Sequence, residues 1–237
     1  MKAVILAGGL GTRISEETDT KPKPMVLLDD KPIIWHLMNI FAAQGFIDFV
    51  IATGYLGQVI HEWVDDLDSP WNIKAIDTGS GTMTGGRIRK CMEFIGDERV
   101  FVTYGDGLAN INLKNLVSFH EHQDRLATVT AVRPPARFGV LESVNGMVTH
   151  FGEKRQADAG WINGGFFVLE PDVKNLLVTD TEPFETGALP KLASSNQLSA
   201  YHHSDFWQPM DTLREKNELS DLARAPNPPW LQIDLEI

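Results

Sequence analysis

The sequence predicts an α/β protein with a Rossmann-like fold: a mixed, mostly parallel sheet flanked by helices, with a smaller sheet-lined lobe. Three observations carry that expectation. Residues 2–7 (KAVILA) form a short aliphatic and β-branched run that stops at Gly8-Gly9, as expected of a strand buried on both faces. Strand-like and helix-like segments then alternate through about the first 110 residues. The second half is less regular and richer in strand-like runs joined by turns containing Gly or Pro.

Taken in order, residues 32–43 (PIIWHLMNIFAA) read as a helix, with Pro32 at the start and Gly45 just past the end. DFVIAT (48–53) is the next strand and GQVIHEWVDDL (57–67) the next helix. IKAIDTG, GGRIRKCMEFIG and RVFVTYGDG continue the alternation. Such a series predicts right-handed βαβ crossovers and a parallel sheet with helices on both sides. Further on, LATVTAV (126–132), FGVLES, MVTHFGE and INGGFFVLE read as strands that extend this sheet in mixed fashion. Helices are expected around 171–177, 185–194 and 212–223. With no linker to divide it, the chain reads as one domain, 1–237. A first half spans about residues 1–125, and a second half with the C-terminal helices spans about 126–237.

Composition narrows the function. The chain has 237 residues, is 43% hydrophobic and carries a net charge of −11. Such acidity makes it a poor general binder of nucleic acid or anionic membrane, so neither is an expected partner. No run approaches the ~18 apolar residues a membrane span needs, and the run after Lys2 is far too short for a signal-peptide core. The single cysteine, Cys91, fits a reducing cytoplasm and reads as a small buried hydrophobe. If the protein binds phosphates, it does so where cations and glycines cluster.

The first cluster is Gly8-Gly9-Leu10-Gly11-Thr12-Arg13, at the carboxyl end of the first strand, where open α/β sheets bind ligands. Glycines there let backbone N–H groups approach a triphosphate, and Arg13 adds a fork of donors; the alternative is a tight strand-to-loop turn. The Gly-Lys-Ser/Thr ending of a P-loop is missing, and G-x-G-x-x-G does not fit, which argues against a nucleotide-dependent oxidoreductase. Ten residues on, KPKPM places Lys23 between Pro22 and Pro24, in a segment expected to be extended. It reads as a second phosphate-binding arm or as a solvated connector.

LAGGLGTR followed by KPKPM resembles the signature of the sugar-1-phosphate nucleotidyltransferases. The similarity continues through DTGSGTMTGGRIR, FVTYGDG, the Glu153-Lys154 pair, INGGFFVL and FWQPMDTLREK. These later segments resemble the glucose-1-phosphate cytidylyltransferases in particular. The resemblance implies the nucleotide-diphospho-sugar transferase fold, with the smaller lobe binding the sugar. It also implies a reaction in which a sugar 1-phosphate oxygen attacks the α-phosphorus of an NTP, here CTP, and expels pyrophosphate.

Roles follow for individual residues. The resemblance places Leu6, Ala7, Gly8, Gly9, Gly11, Thr12, Arg13 and Lys23 around the nucleotide, with Gly79, Gly81, Thr82 and Arg87 near the base. Arg87 reads equally well as a structural helix residue. Asp106, between Gly105 and Gly107 at a strand's carboxyl end, is placed to hold Mg²⁺, or else is simply a turn former. The resemblance implies that Asp106 and Asp211 share the metal. It gives Gly105, Glu153, Lys154, Asn163 and Gly164 to the sugar, with Lys154 on its phosphate and Glu153 on its hydroxyls; Asn163 otherwise marks a bulge. The nucleophile is already an anion, so Arg13, Lys23, Asp106 and Lys154 would catalyse by positioning and by neutralising charge.

Two departures stand out: Arg155 follows Lys154 where relatives carry Pro, and only LDSPWNIKAI lies where cytidylyltransferases carry a longer insertion. The second bears on subunit contacts, leaving a homo-oligomer open, and both bear on the acceptor. Another NTP, a non-glucose acceptor or a non-catalytic nucleotide-binding module are the alternatives. His202-His203 beside Asp205 lack further ligands at zinc spacing, and Trp35 and Trp63 read as core.

Overall fold

Strand β1 (Lys2–Leu6) lies inside a seven-stranded sheet in a computed structural model that describes residues 1–11, 14–134, 139–153 and 160–233. A short helix α1 (Ser15–Thr18), a 3-10 turn at Lys23–Met25 and the small ribbon β2 (Leu27–Leu28) and β3 (Lys31–Pro32) follow. Then come α2 (Ile33–Ala42), β4 (Asp48–Thr53), α3 (Gly57–Asp66), β5 (Asn72–Asp77), α4 (Thr84–Ile95) and β6 (Val100–Tyr104). The second half contains β7 (Gly107–Ala109), α5 (Leu113–Gln123), β8 (Ala127–Val132), β9 (Gly139–Val144), β10 (Met147–Glu153) and β11 (Ile162–Leu169). After a 3-10 stretch at Pro171–Leu176, the chain forms α6 (Ala188–Ser194), β12 (Leu198–His203), β13 (Trp207–Pro209) and α7 (Leu213–Ala223).

The strand order is β12-β8-β11-β6-β1-β4-β5. Strands β5, β4, β1 and β6 run parallel, β11 is antiparallel to both β6 and β8, and β12 is parallel to β8. Both halves of the sequence therefore share one sheet. Alternation along the buried strands feeds two cores. Ala3 and Ile5 of β1, with Phe49, Ile51, Phe101 and Phe166, face α2 and its Leu37, Ile40 and Phe41. Val4 and Leu6, with Val50, Val102 and Phe167, face Ile88, Cys91 and Met92 of α4. The mixed, mostly parallel, helix-flanked sheet expected from the sequence is thus present, and burial pushes the Cys91 thiol up to about 12.

Several local readings change. β9 and β10 do not extend the main sheet; they pair only with each other across Asn145-Gly146, both at positive φ. β8, the strand that precedes the hairpin, is already paired with β11 on one edge and β12 on the other, so the hairpin cannot pair with it. Helix α5 and strands β12 and β13 were not expected. Asn112, which caps α5 by accepting from Asn115 N–H at 2.9 Å, is the sequence signal for the helix. Lys23 does not sit in extended chain; it begins the 3-10 turn closed by Val26 N–H to its carbonyl. No helix among the described residues is long and apolar enough to cross a membrane.

Candidate active site

The carboxyl ends of β1, β4, β5 and β6 gather the glycine loop, the Lys23 turn, the 78–87 segment and Asp106. Gly105 N–H donates to the Leu6 carbonyl at 3.0 Å, and a Cβ on Gly105 would lie 2.9 Å from both that oxygen and Pro24 Cγ. Gly105 is therefore glycine for packing: its bare Cα lets three segments converge. Asp106 sits in the turn between β6 and β7, so it is a turn residue as well as a site carboxylate. Its carbonyl accepts from Met210 N–H at 2.8 Å, continuing the β7–β13 ladder and bringing Asp211 alongside. Asp211 is held by Glu215, whose carboxylate accepts from the backbone N–H of Asp211 at 2.7 Å and of Thr212 at 3.0 Å. Thr212 completes a capping box at the start of α7.

The Lys23 ammonium closes this arrangement. It donates to Asp106 Oδ2 at 2.6 Å and to Asp211 Oδ1 at 2.8 Å. Burial alone would lower its proton affinity; the two carboxylates more than offset this and hold it above the ordinary lysine value. The pair of carboxylates thus already focuses on one cationic point. Hard oxygen donors on two Asp side chains suit Mg²⁺, which is commonly held by one or two carboxylates together with substrate phosphates. Among the described residues no three His, Cys, Asp or Glu side chains gather as a further metal cluster.

Arg87 is tied into the chain by its own hydrogen bonds, as its structural reading expects. The residue is 4% exposed, and its guanidinium donates to the carbonyls of Thr53 (2.8 Å) and Gly8 (2.9 Å) and to Thr78 Oγ1 (2.6 Å). Cβ atoms on Gly8 or Gly54 would lie 2.1 and 2.4 Å from Nη1, so both glycines make room for Arg87. Burial lowers its proton affinity, with Asp77 working the other way. Gly9 and Gly81 have open space where a side chain would stand. Gly11 holds φ of +65°, and Thr82 donates to the Thr78 carbonyl at 2.6 Å, closing the loop before α4. Lys90 and Arg89 clamp that loop through Asp180.

On the other flank, β11 carries the bulge that the Asn-Gly-Gly run suggested, with Gly165 at φ +83°. Asn163 Oδ1 accepts from Gly165 N–H at 2.8 Å, its Nδ2 donates to Tyr104 Oη at 3.2 Å, and Trp207 Nε1 donates to the Gly164 carbonyl at 2.8 Å. A Cβ on Gly164 would strike Val132 and the Thr130 carbonyl, so its lack of a side chain serves β8. Tyr104 and its acceptor Glu185 are functional candidates that the sequence reading missed; a buried Tyr needs a partner for its hydroxyl, but nothing in the chain marked Glu185 as that partner. Glu153 is the last residue of β10, paired with Gly139. Thr12, Arg13, Lys154 and Arg155 lie outside the described residues. His203 bonds to the Phe206 carbonyl and the His202 ring packs on Trp161.

The cation-bridged carboxylate pair and the glycine loop thus lie together at the carboxyl ends of the parallel strands, where open α/β sheets bind ligands. The family model for nucleotidyl transferases matches residues 2–214, and the chain belongs to that family. It is 44% identical to glucose-1-phosphate cytidylyltransferase of Salmonella typhi over 253 aligned positions, covering 97% of this chain and 98% of the relative. It is 28% identical to mannose-1-phosphate guanyltransferase beta-A of Xenopus laevis, over 98% of this chain and 68% of that one. The fold matches the crystal structure of HddC from Yersinia pseudotuberculosis complexed with GMP-PN, with a TM-score of 0.74, 25% identity and coverage of 93% and 98%.

Proposed function

We propose that the protein transfers CMP from CTP to a sugar 1-phosphate, with α-D-glucose 1-phosphate as the acceptor, giving a CDP-sugar and pyrophosphate. The observation that carries this is Lys23 held between Asp106 and Asp211 at the mouth of the glycine loop. The choice of base and sugar rests on the 44% identity to the Salmonella cytidylyltransferase. The site would lie in the cytoplasm and work without nucleic acid or membrane partners.

The difficulty of the reaction is bringing two polyanions together, and the residues answer it by charge and position. Backbone N–H groups of Gly8–Gly11, with Arg13, receive the β- and γ-phosphates and the leaving pyrophosphate. Lys23 binds the α-phosphate, and its proton stays on the ammonium. Asp106 and Asp211 would hold Mg²⁺, which when bound supplies charge neutralisation at the reacting phosphate. The Gly79–Thr82 loop and the Gly8 end of β1 enclose the base, with Arg87 fixing both. Glu153, Lys154 and Asn163 orient the sugar phosphate. The first half of the chain holds the nucleotide and the second half the sugar.

The test is a donor-by-acceptor matrix measuring pyrophosphate and identifying products by mass. CTP with glucose 1-phosphate should give the fastest release, together with CDP-glucose. Faster turnover with another NTP or another sugar phosphate would reassign that substrate, and no release from any pair would sink the catalytic reading.

A further inference from the structure

One hydrogen-bonded chain crosses from the nucleotide-side loop to the sugar-side strand, and the mechanism above makes no use of its middle. Phe184 N–H donates to Thr84 Oγ1 at 2.8 Å, and Thr84 donates in turn to Glu185 Oε2 at 2.7 Å. The other oxygen of Glu185 accepts from the Tyr104 hydroxyl, and Tyr104 Oη accepts from Asn163 Nδ2 at 3.2 Å. Asn163 Oδ1 then accepts from Gly165 N–H. Thr84 opens α4, Tyr104 lies two residues before Asp106, and Asn163 lies on the bulged end of β11.

Counting donors and acceptors fixes every orientation in the chain. A carboxylate only accepts, so the Thr84 proton goes to Glu185 while the Thr84 oxygen accepts from Phe184 N–H. A tyrosine hydroxyl has one proton, and here it goes to the other oxygen of Glu185. The Tyr104 oxygen can then only accept, so Asn163 must turn its NH₂ toward Tyr104 and its carbonyl toward Gly165. What the amide still offers outward is one N–H and one oxygen lone pair, a donor beside an acceptor, on an exposed residue at the sugar end of the site. That pair matches a hydroxyl or a vicinal diol, each of which both donates and accepts.

We infer that Glu185, acting through Tyr104, is a positioning residue that sets the orientation of the Asn163 amide and so selects the hydroxyl pattern of the sugar acceptor. The inference rests on the functional reading above. The packing supports a specific role for the hydroxyl: the Tyr104 ring lies edge-on to Phe167 with centroids 6.1 Å apart, and a Cβ on Gly165 would come within 2.6 Å of its Cδ2. The ring is therefore held by contacts that do not need the hydroxyl.

Tyr104→Phe removes only that hydroxyl. Glu185→Leu removes the carboxylate that takes the Tyr104 proton, which frees that hydroxyl to donate toward Asn163. Steady-state kinetics of both variants with CTP and glucose 1-phosphate, repeated with a panel of monodeoxy glucose 1-phosphates, read out the effect. The KM for the acceptor should rise roughly tenfold, the weight of about one hydrogen bond, while the KM for CTP moves by less than about twofold. The penalty that the wild type pays for one of the monodeoxy acceptors should shrink in the variants by a similar factor. Unchanged acceptor KM, or parallel changes in both KM values and in the melting temperature, would overturn the inference. A wild type with no turnover on any pair would instead remove the functional reading beneath it.

Discussion

The guanidinium of Arg87 occupies the place where a side chain on Gly8 would begin, 2.1 Å from that Cβ position. The glycine loop and the buried arginine are therefore one structural unit. Gly8→Ala should force Arg87 out of its bonds to Gly8, Thr53 and Thr78. The cost should be about 2–4 kcal/mol, typical of breaking a buried hydrogen-bonded network. Arg87→Ala should cost a similar amount by leaving buried carbonyls without a donor. The double variant should then cost clearly less than the sum, because both lesions remove the same bonds. Urea denaturation of the three variants measures this, and simple additivity would separate the two residues.

Lys23→Met leaves Asp106 and Asp211 facing each other without the ammonium between them. Turnover should fall by roughly 10²–10³-fold, the scale of losing one preorganised charge contact. Meanwhile the melting temperature should become more responsive to added Mg²⁺ than in the wild type, since a dication now relieves the carboxylate repulsion. Differential scanning fluorimetry across a Mg²⁺ series reads this without turnover. A melting temperature that ignores the cation would count against a shared site on the two carboxylates.

Two buried histidines set a pH limit on the fold. Burial holds both His36, bonded to the Leu28 carbonyl, and His120, set between Thr128 and Glu170, below the ordinary histidine range. Their unfolded forms bind protons more readily than the folded ones. The stability they confer is thus fully present above a pH of about 6.5 and is lost as pH falls below it, toward the folded-state values. The melting temperature should drop between about pH 6.5 and 5, and His120→Gln should flatten part of that slope. A slope unchanged in His36→Gln and His120→Gln alike would assign the acid sensitivity to other groups.

Thr212→Ala removes the side-chain cap of α7 and should cost about 1 kcal/mol. The cost should not be confined to stability, because Glu215 of the same capping box holds the Asp211 backbone. Glu215→Ala is therefore expected to reduce turnover more than an ordinary surface substitution of equal stability cost. Comparing the two variants at matched folded fraction tests it, and wild-type turnover in Glu215→Ala would uncouple the helix cap from the site.

How much of this was legible in the sequence depended on whether the signal was local. The buried strands of the first half announce themselves as apolar runs, and DFVIAT matches β4 residue for residue. The hairpin of β9 and β10 was legible as two strands but not as a separate ribbon. Strand pairing is decided by which edges are free, and β8 had none. Lys23, Asp106 and Asp211 could be named as candidates, yet their convergence depends on the β7–β13 ladder, and the Trp-Gln-Pro strand gave no periodic signal. The glycines were the least transparent. Gly8, Gly105 and Gly164 looked like residues bared for a ligand, while the structure fills their empty side with Arg87, Pro24 and Val132. A missing side chain records that something comes close, without recording what.

The ribbon of β9 and β10 carries Glu153 at its end yet shares no ladder with the seven-stranded sheet. The parts proposed to meet the nucleotide, by contrast, grow directly out of strands packed on both faces. Selection on the two ends of the proposed site should therefore be unequal. On the proposed function, substitutions in the ribbon would alter what the sugar end meets without taxing the core, whereas changes at the β1, β4 and β6 ends would be filtered first by folding. Among descendants of one ancestor, the acceptor should drift faster than the phosphate-binding apparatus, and this asymmetry is set by sheet connectivity before any substrate is considered.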